Sequence, residues 1–171
     1  MNELQLRGEK EADIALIHAL TKEAFSTMSC AAGDEQDVID RLRDCGALTL
    51  SLVAVEGSEL VGQVTFSPVA VADGSSPWFA LGPVSVTPDR QSDGIGAKLI
   101  NAGLLRIQEM GALGCVLTGN PVYYSRFGFD VSAEHSPENE PAEYFQLKLL
   151  KGQKPNGRFA FHPAFYGEVE S

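Results

Sequence analysis

The segment Val84-Ser85-Val86-Thr87-Pro88-Asp89-Arg90-Gln91-Ser92-Asp93-Gly94-Ile95-Gly96 constrains this chain more than any other. Trp78 to Val86 is largely apolar and reads as a strand, ended at Thr87-Pro88-Asp89 because Pro88 has no N–H to offer a ladder. Gly94 then opens a helix to Met110 in which Gly96, Ile100, Leu104, Ile107 and Gly111 keep one apolar or small face. A strand that turns through a glycine loop straight into a long helix requires helices layered on a sheet, so the chain is α/β. The same junction suits an anion. N–H groups of a first helical turn lack partners, the helix dipole is positive there, and glycines admit close backbone approach, which makes a pyrophosphate the natural guest. Two nucleotide fingerprints are not met: Leu99 stands where a dinucleotide loop places its third small residue, and the chain has no Gly-Lys-Ser/Thr.

The other elements follow from period and punctuation. Thr49 to Val55 and Leu60 to Phe66 flank Glu56-Gly57-Ser58-Glu59 and predict a β-hairpin, with Trp78 to Val86 as the third strand of its sheet. Ile14, Ile17, Leu20 or Thr21, and Phe25 predict a first helix, and Val38, Ile39 and Leu42 a second. Cys115 to Thr118 is a short strand. Asn120-Pro121 places an N-cap before a first-turn residue, and Gly128 ends a helix of about seven residues that carries Tyr123 and Tyr124. Tyr144 to Leu150 and Arg158 to His162 supply two last strands. The order β, α, α, β, β, β, α, β, α, β, β describes a mixed sheet with helices on both faces. No repeat or linker interrupts it, so residues 1–171 read as a single domain.

Charge and composition narrow the partners. Thirteen Lys and Arg against 23 Asp and Glu give a net charge of −10, which disfavours a nucleic-acid backbone, and no Lys or Arg stands between Arg43 and Arg90. A cationic or amine-bearing partner fits better. Apolar runs such as Ala47 to Val55 fall well short of the roughly 18 residues of a membrane span. The N-terminal MNELQLRGEKEAD has no leader character, and three Cys at unrelated spacings do not form a closed set of bridges, so a cytoplasmic protein is expected. His135 and His162 fall outside metal-ligand spacing, and no metal is expected.

Gln91, Gly94 and Gly96, following a Val-x-Pro strand end, match the Gln/Arg-x-x-Gly-x-Gly/Ala motif of the GNAT superfamily of N-acetyltransferases. Downstream, Asn120 to Phe129 is similar to that family's second landmark, a tyrosine four residues before Gly-Phe, here Tyr124 before Gly128-Phe129. Leu-Gly-Pro-Val-Ser-Val, Tyr-Tyr-Ser-Arg-Phe-Gly-Phe and the tail Tyr-Phe-Gln-Leu…Phe-His-Pro-Ala-Phe resemble the bacterial YhbS-like subgroup, so that the likeness spans nearly the whole chain. The resemblance implies an α/β GNAT (acyl-CoA N-acyltransferase) fold, a mixed central sheet with splayed strands. It implies acetyl-CoA as co-substrate in a V-shaped gap between the strand ending at Val86 and the strand Gly114 to Thr118. The pyrophosphate would lie on the backbone of Gln91, Ser92, Asp93, Gly94, Ile95 and Gly96, the pantetheine on main-chain groups of Val84 and Val86, with Asn120, Tyr124 and Arg126 as further contacts. Pro83, inside an otherwise good strand, independently suits a bulge or an interrupted ladder.

The implied reaction is direct attack of a primary amine on the thioester in a ternary complex, with Tyr124 as the acid for the departing CoA thiolate. An alkylamine of pKa near 10.4 is mostly protonated at pH 7, so its deprotonation needs a base or a water chain. Glu56, Asp73, Glu23, His18 and Ser85 are candidates, and none has spacing that singles it out. Cys115 alternates with Leu113 and Leu117 in an apolar strand, where a buried inert thiol is the expectation. Arg90, Lys98 and Arg126 are cations within sequence reach of the CoA phosphates. A non-catalytic acyl-CoA sensor or interaction module is the competing reading; it keeps Gln91 to Gly96 but has no use for Tyr124. Monomer and homodimer both fit the sequence.

Overall fold

The computed structural model describes residues 3–26 and 34–167. Its strands are β1 (Leu4–Gly8), β2 (Leu50–Glu56), β3 (Glu59–Val71), β4 (Trp78–Val86), β5 (Gly114–Thr118), β6 (Asp130–Val131), β7 (Phe145–Leu149) and β8 (Phe159–Ala160). The helices are α1 (Ile14–Ser26), α2 (Glu35–Asp44), α3 (Ile95–Glu109) and α4 (Pro121–Tyr124). Two compact units divide the chain: Met1–Phe66, Gly82–Gly103 and Pro163–Ser171 form the first, and Ser67–Leu81 with Leu104–His162 the second.

In the first unit β1, β2 and β3 run antiparallel in succession, and the β2–β3 hairpin turns over Gly57 and Ser58 as the sequence predicts. Its register slips between Ala54 and Val55, leaving Val61 as the extra residue of a bulge. Period-2 alternation then sorts the side chains. Val53 faces α1 and α2, where Ile17, Leu20, Ile39 and Leu60 join it in one buried cluster. Gly62 faces the other way, onto Leu99 and Ile95 of α3. Helices therefore cover both faces of this sheet. Within α1 the buried face is Ile17, Leu20, Thr21 and Ala24, while the expected core residue Phe25 is only half-buried because Ala24 takes the inward direction at that turn.

Polar pins hold the helices to the strands. Arg43 grips Glu9 through two hydrogen bonds of 2.8 and 2.9 Å, and Glu9 accepts a third from Ser51 at 2.6 Å. Arg7 clasps the buried Asp13 at 2.7 and 3.2 Å, and this guanidinium holds the Asp13 carboxyl below the usual carboxylate range despite its burial.

In the second unit β4 pairs parallel with β5 from Trp78 to Ala80, β5 pairs antiparallel with β7, and β7 with β6. That pairing is mixed, as expected. The two-residue β6 was not foreseen, and the strand expected over Arg158 to His162 is only Phe159–Ala160, paired with Val71 and Ala70 of β3. Trp78 meets Phe159 edge-on at 5.1 Å, and Gly114 leaves the space that the Trp78 ring fills. Among the described residues no helix is long and apolar enough to cross a membrane.

Gly103 of α3 is buried against Phe66, so closely that an added methyl group would overlap the ring. Gly103→Ala gains about 1 kcal/mol of helix propensity but overpacks a full core, which costs about 1–3 kcal/mol. Overpacking should prevail, with a lower urea midpoint at unchanged slope.

Candidate active site

The β4–α3 junction lies in the first unit. Thr87 donates its N–H to Val61 O at 2.9 Å, so by strand alternation residues 83 and 85 also turn toward β3, and the main-chain groups of Val84 and Val86 turn to the opposite edge. Ladder pairing of β4 with β5 stops at Ala80, four residues before Val84. The interruption expected at Pro83 is therefore present, with Gly82 at φ 126 leaving regular strand geometry.

Beyond β4, Pro88–Arg90 forms one 3-10 turn, and Gln91 donates from Nε2 to Val86 O at 3.2 Å, tying loop to strand. Ser92 (φ 75) and Gly94 (φ 84) both take the left-handed conformation, which only glycine adopts without strain. Gly94 O accepts the first helical hydrogen bond, from Lys98 N at 3.1 Å, so Ile95, Gly96 and Ala97 are the first-turn residues whose N–H groups have no carbonyl one turn back. Gln91, Ser92, Asp93 and Gly94 are exposed, while Ile95 is buried and anchors the helix start with Leu99 and Ile100.

Of the cations proposed for this loop, Lys98 is exposed near the start of α3, while Arg90 is taken up by carboxylates. Arg90 donates to Glu56 at 2.6 Å and to Asp93 at 2.9 Å, and these carboxylates raise the pKa of its guanidinium. Arg7, Arg41, Arg43 and Arg90, the arginines of this unit, are all engaged with carboxylates. What the loop presents to an anion is backbone N–H. Asp93, already held by Arg90, has only its main chain to offer.

The second constellation is the β5–α4 corner, in the second unit. Asn120 Oδ1 accepts from Val122 N at 2.9 Å, the expected N-cap. The predicted seven-residue helix is a single α-turn, Pro121–Tyr124, that tightens into a 3-10 turn over Ser125–Phe127 and stops at left-handed Gly128. Tyr124 is half-buried, its ring 6.1 Å from Phe129 and 6.2 Å from Phe127. Burial, with smaller contributions from Tyr123 and Cys115, pushes its phenol well above the ordinary range, so the proton stays on oxygen. Arg126 is turned back on its own helix: Nε donates to Tyr123 O at 2.9 Å and the guanidinium sits 4.6 Å from the Tyr123 ring centre. Cys115 is fully buried and its thiol is pushed up by desolvation, as an inert core thiol would be.

Two residues of this corner escape sequence reasoning. Gly119 makes room for the Tyr124 ring, since a Cβ there would lie 2.8 Å from Tyr124 Cε2. Gln146 of β7, fully buried, donates to Gly119 O at 2.8 Å and holds the corner that carries that glycine. The glycine ending a strand just before an N-cap was a legible cue; the glutamine twenty-seven positions away was not.

The proposed bases are dispersed. Glu56 is paired with Arg90, His18 Nδ1 lies 2.7 Å from Asp40, which also binds Arg43, and Glu23 is exposed. Asp73 accepts from the backbone of Ser75 and Asn156, which holds its carboxyl below the usual range. Ser85 is buried and accepts from Gln63 Nε2 at 2.6 Å. His135 is enclosed between Ser132 and Pro155 O.

The chain matches the family model of the acetyltransferase (GNAT) domain over residues 5–132. It is 33% identical over 158 residues to the uncharacterized N-acetyltransferase YhbS of Escherichia coli K12, covering 89% of this chain and 90% of that one. The crystal structure of a GNAT family acetyltransferase from Brucella melitensis in complex with acetyl-CoA superposes with a TM-score of 0.86 at 40% identity, over 96% of this chain and 99% of the other. The structure of E. coli YhbS in complex with CoA gives 0.88 at 29% identity, over 97% and 93%. The family model and these relatives agree along most of the sequence: this chain belongs to the GNAT family of N-acetyltransferases.

Proposed function

We propose that residues 1–171 act as one catalytic domain that transfers the acetyl group of acetyl-CoA to a primary amine by direct attack in a ternary complex. The observation that carries this reading is the start of α3, where the first-turn N–H groups of Ile95, Gly96 and Ala97 follow a left-handed Gly94 and suit a pyrophosphate. The relatives of known structure bind acetyl-CoA and CoA, which supports the same donor here. Val84 and Val86, whose main-chain groups face away from β3, pair with the pantetheine amides, and Asn120 and Arg126 are further candidate contacts of the donor.

In the reaction the neutral amine nitrogen attacks the thioester carbon, a C–N bond forms, and the tetrahedral intermediate collapses with cleavage of the C–S bond. The amine gives up one proton to water and the sulfur takes up one, yielding the amide and free CoA thiol. Freeing an alkylamine of pKa near 10.4 at pH 7 costs about 4–5 kcal/mol, so only an acceptor held away from bulk water or beside a proton-accepting water reacts quickly. Tyr124 meets the second demand. Its raised pKa makes complete transfer to an ordinary thiolate of pKa near 8.5 uphill, so the phenol donates a hydrogen bond as the C–S bond breaks and yields its proton only to the fully charged, desolvated sulfur. The acidic balance of the chain and the cation-free run from Asp44 to Asp89 favour a cationic acceptor.

Replacing Gly94 with a bulky residue strains the left-handed position and obstructs the approach to the loop; CoA affinity measured by calorimetry should fall more than tenfold, over 1.4 kcal/mol. Unchanged affinity in a folded variant removes the loop from the binding site.

Tyr124→Phe keeps the ring packing and deletes the proton, so kcat should drop about 10²–10⁴-fold with little change in KM for acetyl-CoA. Because the phenol is held protonated, the wild-type kcat profile should show no alkaline loss from this group below pH 10. Tyr123→Phe should be mild. Wild-type turnover in both the Tyr124→Phe and the Tyr123→Phe variants would mean that solvent protonates the thiolate and that Tyr124 is structural.

Thiol release with a panel of amine acceptors should be fastest for cationic ones and should slow as salt screens the acidic field. A preference for carboxylate-rich acceptors, indifferent to salt, rejects the charge argument and leaves the acetyl donor untouched.

A further inference from the structure

Beneath α1, in the first unit, lies a buried group of polar side chains. Thr21, Gln63 and Thr65 are fully buried and Ser85 is 4% exposed. Gln63 Nε2 donates to Ser85 Oγ at 2.6 Å and to Pro83 O at 3.2 Å, Thr65 Oγ1 donates to the same carbonyl at 2.8 Å, and Thr21 and Ser85 hydroxyls share a hydrogen bond at 3.0 Å. Pro83 has no N–H, so that side of β4 lacks one ladder donor, and its carbonyl is held by two side chains of β3. Gln63 and Thr65, two apart on one strand, stand on the same face and act on one oxygen.

The orientation of the Gln63 amide is dictated by chemistry. Pro83 O only accepts, so the nitrogen must face it, and Gln63 Oε1 is left buried without a partner. An orphaned buried acceptor costs stability, and an apolar side chain of that size would avoid the cost. Stability alone therefore does not explain a glutamine here. The bond that it makes fixes the peptide plane between Pro83 and Val84, whose other polar group is the Val84 N–H that the proposed function gives to pantetheine.

We propose that Gln63 and Thr65 are positioning residues for the pantetheine arm of acetyl-CoA. They hold the Pro83 carbonyl where β4 lacks a ladder donor, and so keep the N–H and C=O groups of Val84 and Val86 aimed at the edge where the donor binds. The inference rests on the proposed acetyl-CoA reading, and its effect is confined to the pantetheine half. The phosphate loop hangs instead on Ile95, Leu99 and the Gln91 tie.

The test compares CoA with 3′-phosphoadenosine 5′-diphosphate, the nucleotide half without pantetheine, by calorimetry on wild type, Thr65→Val and the double variant Gln63→Met with Thr65→Val. The double variant should bind CoA at least tenfold more weakly, raise KM for acetyl-CoA in parallel, and bind the nucleotide within twofold of wild type. Its melting temperature should fall modestly, because the Pro83 carbonyl loses both side-chain donors even as the orphaned Gln63 oxygen is removed, so the split between CoA and nucleotide, which a general loss of stability would not produce, is the deciding readout. Amide signals of Val84 and Val86 should shift in ¹H–¹⁵N spectra while those of Ile95 to Ala97 stay in place. Should the double variant not fold, Thr65→Val alone, which keeps the volume, should show the same split at about threefold. Equal loss for CoA and nucleotide, or no loss for either, overturns the positioning role. A wild-type protein that binds the nucleotide half and CoA with equal affinity overturns it too, and one that binds neither overturns the acetyl-CoA reading beneath it.

Discussion

Strand β4 cannot complete its hydrogen bonds as an ordinary strand does, and much of the chemistry assigned to this chain depends on that deficit. Its first residues, Trp78 to Ala80, pair with β5. From Gly82 and Pro83 onward a φ of 126 and a missing N–H break the pattern, and the carbonyl of Pro83 is met by side chains of β3. A strand anchored on one side and open on the other offers main-chain donors and acceptors to a ligand that itself resembles a peptide. Pantetheine, with two amides, is such a ligand.

The same economy governs the loop after β4. The arginines of the first unit are held by carboxylates that pin helices and turns, so the anion proposed at the α3 start would meet chiefly backbone N–H and the helix dipole, with Lys98 an exposed cation near the helix start. Neutral donors have one advantage over a ring of lysines: they are fixed by the fold and cost no side-chain entropy on binding. Arg90, bridging Glu56 of the hairpin and Asp93 of the loop, serves the shape of that loop.

At the β5–α4 corner, the raised pKa of Tyr124 separates two roles that are easily conflated. A phenol that never ionises in the working range is a reliable hydrogen-bond donor and a reluctant full acid. Its place depends on Gly119, which leaves the ring its space, and on Gln146, which holds the Gly119 carbonyl.

The amino-acid sequence by itself determined the local elements: the hairpin over Gly57 and Ser58, the limits of β4, the long α3, the Asn120 cap and the Gly128 stop. Each of these is encoded by residues within a few positions of one another, through period, capping or the absence of an N–H. Tertiary structure alone decided the rest. Whether Arg90 faces a phosphate or Glu56, whether Phe25 or Ala24 turns inward, and whether the tail strand is five residues or two are settled by partners far along the chain. Gln63, Thr65 and Gln146 look like unremarkable polar residues in apolar strands until the fold brings a carbonyl to each. Burial strips them of water, and only a distant backbone oxygen can then satisfy the donor they carry.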